Sequence, residues 1–202
     1  TGKSLQKIRK FDSTQHIEFP TELKIHHHQY VPLPMKAHLV VMGVSGCGKS
    51  TFGKRIADTI EREWIEGDDQ HFPESIEKMK HGISLGDKDR FPWLDRLVKK
   101  MDQSKKPVVL ACSALKRSYR DHLRTAKGTV FFLHLQIPQN ILLKRLQNRK
   151  DHFFSPSLLD DQLLLMEELK AKELGYTVNS ESELEKWLSV QFEQKKDGHL
   201  PK

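Results

Sequence analysis

The sequence predicts an α/β fold: a five-stranded parallel sheet in a three-layer arrangement, with helices on both faces and a small lid. Three observations carry this. Short apolar runs alternate with segments of helical periodicity from residue 37 onward, a glycine-rich loop joins the first run to the first helix, and 202 residues suffice for one such domain.

The elements follow in order. HLVVM (38–42) is apolar throughout, as a strand covered on both faces must be. Over 50–63, Phe52, Ile56, Ala57 and Ile60 share one helical face. WIEGD (64–68) is a short strand ending in acid. PVVLACS (107–113) and TVFFLHLQI (129–137) are the two strongest strands, followed by helix-compatible segments at 115–126 and 138–149. YTV (176–178) is a weak last strand before an amphipathic segment at 181–192. Alternation with short connections favours parallel pairing. Residues 1–36 show neither period and are read as a flexible or poorly packed extension, their His26, His27 and His28 as solvated. The domain is expected over 37–193, with a polar tail at 194–202.

Composition narrows the function. No apolar run nears the roughly 20 residues of a membrane span, and no signal-type apolar segment opens the chain. Neither a membrane nor a secretory route is expected. Two cysteines, Cys47 and Cys112, make no disulfide framework and point to a reducing, cytoplasmic setting. The net charge of +7 is spread along the chain rather than gathered in a block, so a small anionic substrate is expected in preference to nucleic acid. Homodimerisation is left open.

GVSGCGKS (43–50) matches G-x-x-x-x-G-K-[ST] in full, after a buried strand and at a helix start. Its glycines let the backbone turn its N–H groups inward, and the helix dipole adds positive potential. The expected nucleotide site is therefore Gly43, Val44, Ser45, Gly46, Cys47, Gly48, Lys49, Ser50 and Thr51. Lys49 suits the β- and γ-phosphates of ATP, and the Ser50 hydroxyl suits Mg²⁺. The fold class is thus that of a P-loop NTPase. No NKxD-type signature follows, and the strand at 107–112 ends in Ser113 rather than Asp, which favours the compact metabolite kinases.

The second strand ends in EGDDQH (66–71). Strand carboxyl ends form the ligand crevice of a parallel sheet, so Asp68 is expected to face the transferred phosphate and take the acceptor's hydroxyl proton. Glu66, two residues earlier, is a second candidate base or a Mg²⁺ ligand through water. Arg90, in GDKDRFPWL, is a fork-shaped donor suited to a planar carboxylate. Asp87 and Asp89 either contact substrate directly, or hold Arg90 or cap the next helix, in whose first turn Pro92 is expected, with Trp93 and Leu94 beneath the site. Lys116 and Arg120 are spaced i, i+4 after the third strand, and Arg145 and Arg149 repeat that spacing.

HLVVMGVSGCGKST, GDDQH…EKMKHGISLGDKDRFPWL, VVLACSALKRSYRDHLR and RLQNRKDHFF together resemble the gluconokinase family, over about residues 38 to 165. The resemblance implies a shikimate-kinase-like fold and ATP- and Mg²⁺-dependent phosphorylation of gluconate to 6-phosphogluconate. It also implies acceptor contacts at Asp68, His71, Arg90, Lys116 and Arg120, a lid bearing Arg145 and Arg149, and a packing role there for His152. The chain departs from the family pattern at Glu66, Phe72, Ser75, Ser84-Leu85-Gly86, Asp151 and Leu163-Leu164. Alternatives left open are a kinase for another sugar acid or polyol, and a nucleotide-binding module without catalysis.

Overall fold

The computed structural model describes residues 30–147 and 158–196. Its order is β1 (Ala37–Met42), α1 (Lys49–Ile60), β2 (Trp64–Glu66), a 3₁₀ turn (Asp68–Gln70), α2 (Pro73–Lys80), α3 (Asp87–Gln103), β3 (Val109–Ala111), α4 (Arg117–Leu123), β4 (Thr129–Leu135), α5 (Gln139–Gln147), α6 (Leu158–Leu165), β5 (Gly175–Val178) and α7 (Glu181–Lys196). The strands form one parallel sheet in the order β2-β3-β1-β4-β5.

All six residues of β1 and all three of β3 are buried, whereas the edge strands β2 and β5 alternate buried with half-buried positions. That difference is why the central strands are plain in the sequence and the edges faint. The chain leaves β1 for the far edge at β2, then returns through β3 to β4 and β5. With right-handed crossovers α1 lies on one face and α3 to α5 on the other. An Arg55–Glu185 ion pair joins α7 to α1.

Residues 30–36 are less detached than expected. Val31 and Leu33 pack against the core, the Trp187 indole N–H donates to the Val31 carbonyl at 3.0 Å, and the Tyr30 ring stacks on Tyr176. Arg62 also bonds the carbonyls of Met35 and Ala37 at 2.7 and 2.6 Å. The apolar residues Val31 and Leu33 form too short a stretch to show a period.

Two helix starts differ from expectation. The Asp89 carboxylate accepts the Gly86 N–H at 3.1 Å, so α3 begins at Asp87 and Pro92 falls past its first turn. Ala114 has φ of 45° and Lys116 is extended, which delays α4 to Arg117. Lys116 and Arg120 therefore do not share a helix face. Arg120 is fully buried: its Nε and Nη2 bond the two Glu173 oxygens at 2.7 and 2.8 Å, and its Nη1 bonds the carbonyls of Ala114, Leu115 and Glu167. Arg124 adds a bond to Glu173 at 2.7 Å. The expected acceptor contact at Arg120 is corrected: its guanidinium is fully buried and its donors are taken in fastening residues 167–173 to α4.

Burial alone would raise the Glu173 carboxyl, but the hydrogen bonds from Arg120 and Arg124 win and hold it at about 2. A depressed carboxylate stabilises the fold above the ordinary glutamate value of about 4.3, and that contribution fades as pH falls toward 2. Glu173→Gln leaves Arg120 as an uncompensated buried charge and is expected to cost about 3–5 kcal/mol. Urea titrations of parent and variant at pH 7 and pH 3 check this: the gap should be wide at pH 7 and smaller at pH 3, and equal gaps would refute the ion pair's role.

Candidate active site

The carboxyl ends of β1, β3 and β2 lie side by side, and each supplies a distinct chemistry. From β1 comes the glycine-rich loop. The Gly43 N–H bonds the Ser113 carbonyl at 3.3 Å, so the loop begins pinned to the chain leaving β3. Gly43 has φ of 141°, and a Cβ there would lie 2.8 Å from both Cys47 Sγ and the Leu135 carbonyl oxygen. Gly48, at φ 99°, is the N-cap of α1, which puts Lys49 and Ser50 in the first helical turn. Lys49 folds back over the loop and its Nζ donates to the Val44 carbonyl at 3.1 Å. Val44, Ser45 and Cys47 are buried, and Thr51 is exposed. Burial pushes the Cys47 thiol up, against the pull of Lys49, so it remains protonated.

From β2 comes the acidic turn. Glu66 is half-buried and accepts a hydrogen bond from the Ser50 hydroxyl. Burial raises its carboxyl, the Ser50 bond opposes this, and the Asp68 charge raises it further. Asp68 opens the 3₁₀ turn with its side chain 35 % exposed. Gly67, between them, fits where nothing larger would: a Cβ would lie 2.1 Å from the Ala111 carbonyl oxygen. The Gly67 carbonyl also accepts the Trp93 indole N–H at 2.8 Å. Trp93 and Leu94 thus lie buried beneath the turn, as expected. His71 is buried, stacks on Trp93 at 4.3 Å, and has Nε2 3.9 Å from Asp68 Oδ1. Burial lowers its pKa to about 4, so the ring is neutral at pH 7.

The third part comes from α3 and the chain after β3. Arg90 is buried; its Nε donates to the Leu85 carbonyl at 3.2 Å, its Nη1 lies 3.5 Å from Ser113 Oγ, and its guanidinium sits over the Tyr119 ring. It lines a small cavity with Ser84, Leu85, Asp161 and Gln162. A larger open cleft of about 510 Å³ adjoins it at Leu85 and Leu165 and is lined by Lys78, Asp87, Asp89 and Lys116. Asp87 accepts both the Lys116 ammonium at 2.9 Å and the Tyr119 hydroxyl at 2.5 Å, while Asp89 pairs with Lys78 at 2.6 Å. Neither aspartate bonds Arg90; each takes another cation.

Burial pushes the Cys112 thiol, just past β3, up to about 12. The Gly43 N–H on the Ser113 carbonyl, Gly67 against the Ala111 carbonyl and Arg90 Nη1 near Ser113 Oγ bring the three parts together around the end of β3. Arg145 belongs to the same place, its Nη1 donating to the Gly46 carbonyl at 3.2 Å. Arg149 and His152 lie outside the described residues. Gln162 was not foreseen: its Oε1 accepts the Ser45 N–H at 2.7 Å. Only its place in the gluconokinase-like pattern could have drawn attention to it.

A family model described as shikimate kinase matches residues 45–186. A "Probable gluconokinase" of Dictyostelium discoideum is 43 % identical over 141 residues, covering 65 % of this chain and 70 % of the relative. A "Gluconokinase" of Gluconobacter oxydans is 42 % identical over 132 residues, covering 64 % and 74 %. The crystal structure of a gluconokinase from Sinorhizobium meliloti 1021 superimposes with a TM-score of 0.68 at 38 % identity, covering 82 % of this chain and 99 % of that one. The chain belongs to the gluconokinase family. The matched residues 45–186 include the acidic turn and Arg90.

Gly67→Ala tests how the acidic turn is held. The added Cβ must displace the β3 backbone, expected to cost about 1–3 kcal/mol, or about 2–4 °C of Tm per kcal/mol in a domain of this size. Turnover should fall more than stability explains, because Glu66 and Asp68 move with the turn. A variant that melts and turns over like the parent would contradict the close approach.

Proposed function

We propose that this chain is a gluconokinase: it transfers the γ-phosphoryl group of ATP, with Mg²⁺, to D-gluconate to give 6-phospho-D-gluconate. The observation that supports this most is the meeting, at the end of β3, of the loop that bears Lys49, the turn that bears Asp68 and the Arg90 guanidinium. One cation suits phosphate, one carboxylate suits a hydroxyl, and a buried guanidinium suits the acceptor's own carboxylate.

Hard oxygen donors fit Mg²⁺, and Ser50 with Glu66 offers a hydroxyl and a carboxylate in contact. Burial and Asp68 disfavour the ionised Glu66, a cost that a divalent cation beside it would reverse. When bound, the metal supplies charge neutralisation at the phosphate oxygens. The residues of the chain do the rest. The loop N–H groups and Lys49 hold the triphosphate. Arg90, steadied by the Leu85 carbonyl and Ser113, holds the gluconate carboxylate, with His71 and Lys116 as further acceptor contacts. Asp68 orients the acceptor hydroxyl and takes its proton as the oxygen–phosphorus bond forms. The bond to the bridging oxygen breaks and ADP leaves. Arg145, already beside the loop at Gly46, neutralises charge spreading over the transferring group, and Arg149 shares that work. The two cysteines are free and buried, as a reducing cytoplasm allows. Among the described residues no helix is long and apolar enough to cross a membrane.

The direct test is coupled ADP release over a panel of sugar acids and polyols, with and without Mg²⁺. Gluconate should be preferred; equal rates on a neutral polyol would remove the carboxylate-reading role. Asp68→Asn keeps shape and one acceptor oxygen but loses the charge, so ATP should still bind while kcat falls about 10²–10⁴-fold. Retention of more than about a tenth of kcat would be below the usual range and would move the base assignment to Glu66, measured alongside as Glu66→Gln.

For Arg90→Lys the expected change lies in KM. A point-charge ammonium cannot reproduce bidentate geometry, so KM for gluconate should rise far more than KM for ATP. A parallel rise in both would place Arg90 outside the acceptor site.

A further inference from the structure

Helix α6 reads LLDDQLLL, and its buried side chains include one amide, Gln162. Burying an amide is costly unless it is bonded, and a leucine or methionine would pack as well among these neighbours. The bond that Gln162 makes is to Ser45 N–H at 2.7 Å, across 117 residues of chain and within the phosphate loop. The same residue lines the small cavity that contains Arg90. It therefore touches both the glycine-rich loop and the cavity that Arg90 lines.

The rest of α6 is anchored elsewhere. The Gln139 amide donates to Asp160 at 2.9 Å, Ser84 bonds Asp161, and just beyond the helix the Glu167 N–H bonds the Leu115 carbonyl at 2.8 Å. These ties hold the helix against α5 and the acceptor side, and Gln162 carries that position to the loop. Arg145 bonds the neighbouring Gly46 carbonyl from α5. We infer that Gln162 is a positioning residue: it holds the phosphate loop through Ser45 N–H and couples nucleotide binding to acceptor binding. Leu85 and Leu165 line both this cavity and the larger cleft, so an acceptor in the cleft packs on walls shared with the cavity that Gln162 lines.

Coupling of this kind is reciprocal and measurable as the factor by which one ligand changes the affinity of the other. The experiment is calorimetric titration of ADP into parent and variants, with and without saturating gluconate, beside their melting temperatures. Gln162→Met keeps volume and removes the amide. It should weaken ADP roughly tenfold, as loss of one buried partner does, and bring the coupling factor to about 1, whatever the fall in Tm that the unpaired Ser45 N–H causes. Gln139→Ala loosens α6 at another tie and should leave ADP affinity as in the parent. Unchanged ADP affinity in Gln162→Met overturns the proposal. So does an equal loss in Gln139→Ala, which would assign the effect to helix packing. Should Gln162→Met fail to fold, Gln162→Asn keeps the amide but withdraws it from Ser45, and the same criterion applies to it. The coupling arm rests on the gluconate reading and the ADP arm does not. A parent inert toward gluconate would sink that reading while leaving the role of Gln162 at the loop to be decided by ADP alone.

Discussion

Everything in the crevice depends on the burial of β1 at the centre of the sheet. Its six residues are covered on both faces and bonded to β3 on one side and β4 on the other. A strand fixed on both edges cannot slip, because a shift of one residue would reverse every side chain. The loop must then leave at Gly43, between the ends of β3 and β4. The space there is set by Cys47 Sγ and the Leu135 carbonyl, which a side chain at Gly43 would strike. Gly67 obeys the same constraint from β2, against the backbone of β3. Phosphate loop and acidic turn are thus positioned by one rigid ladder, as electrostatic preorganisation requires.

Two buried arginines show how environment separates support from chemistry. Arg120 meets a bidentate carboxylate and several carbonyls, which uses the fork fully and leaves no capacity for a ligand. Among the described residues Arg90 makes two bonds, the longer at 3.5 Å, and its burial lowers its pKa. Asp87 and Asp89 would have been its obvious counter-ions, yet Lys116, Tyr119 and Lys78 hold them. A guanidinium kept from its neighbouring carboxylates retains donor capacity for another planar anion, which is what the proposed acceptor role of Arg90 requires.

The phosphate loop and the central strands were legible because their signals are local: a glycine spacing, a continuous apolar run, a helix face. Arg120 was misread because its meaning is not local. Its partner Glu173 lies 53 residues away, and the i, i+4 spacing with Lys116 held only while α4 was taken to start before Arg117. The positive φ at Ala114 that delays the helix has no glycine to announce it. Residues 30–36 were read as loose for a related cause, since their bonds to Trp187, Gln191 and Arg62 are formed by groups far along the chain. Gln162 combines both difficulties: a polar residue in a leucine-rich helix looks like a surface position until the loop 117 residues earlier meets it.

The two carboxylates of the acidic turn are separated by the same logic of surroundings. Glu66 is the more enclosed, bonded to the Ser50 hydroxyl, and raised by burial, so its ionised form gains most from a cation at the loop. Asp68 stands further out, beside the face of the site that includes His71 and Arg90. A protonated His71 would place a positive charge 3.9 Å from Asp68 Oδ1. Burial against Trp93 instead pushes the imidazole down to about 4, so at neutral pH the ring is uncharged. The stacking that fixes the turn therefore also keeps the His71 ring beside Asp68 uncharged at neutral pH. The position of the turn and the charge state of its histidine both follow from one arrangement of Gly67, His71 and Trp93.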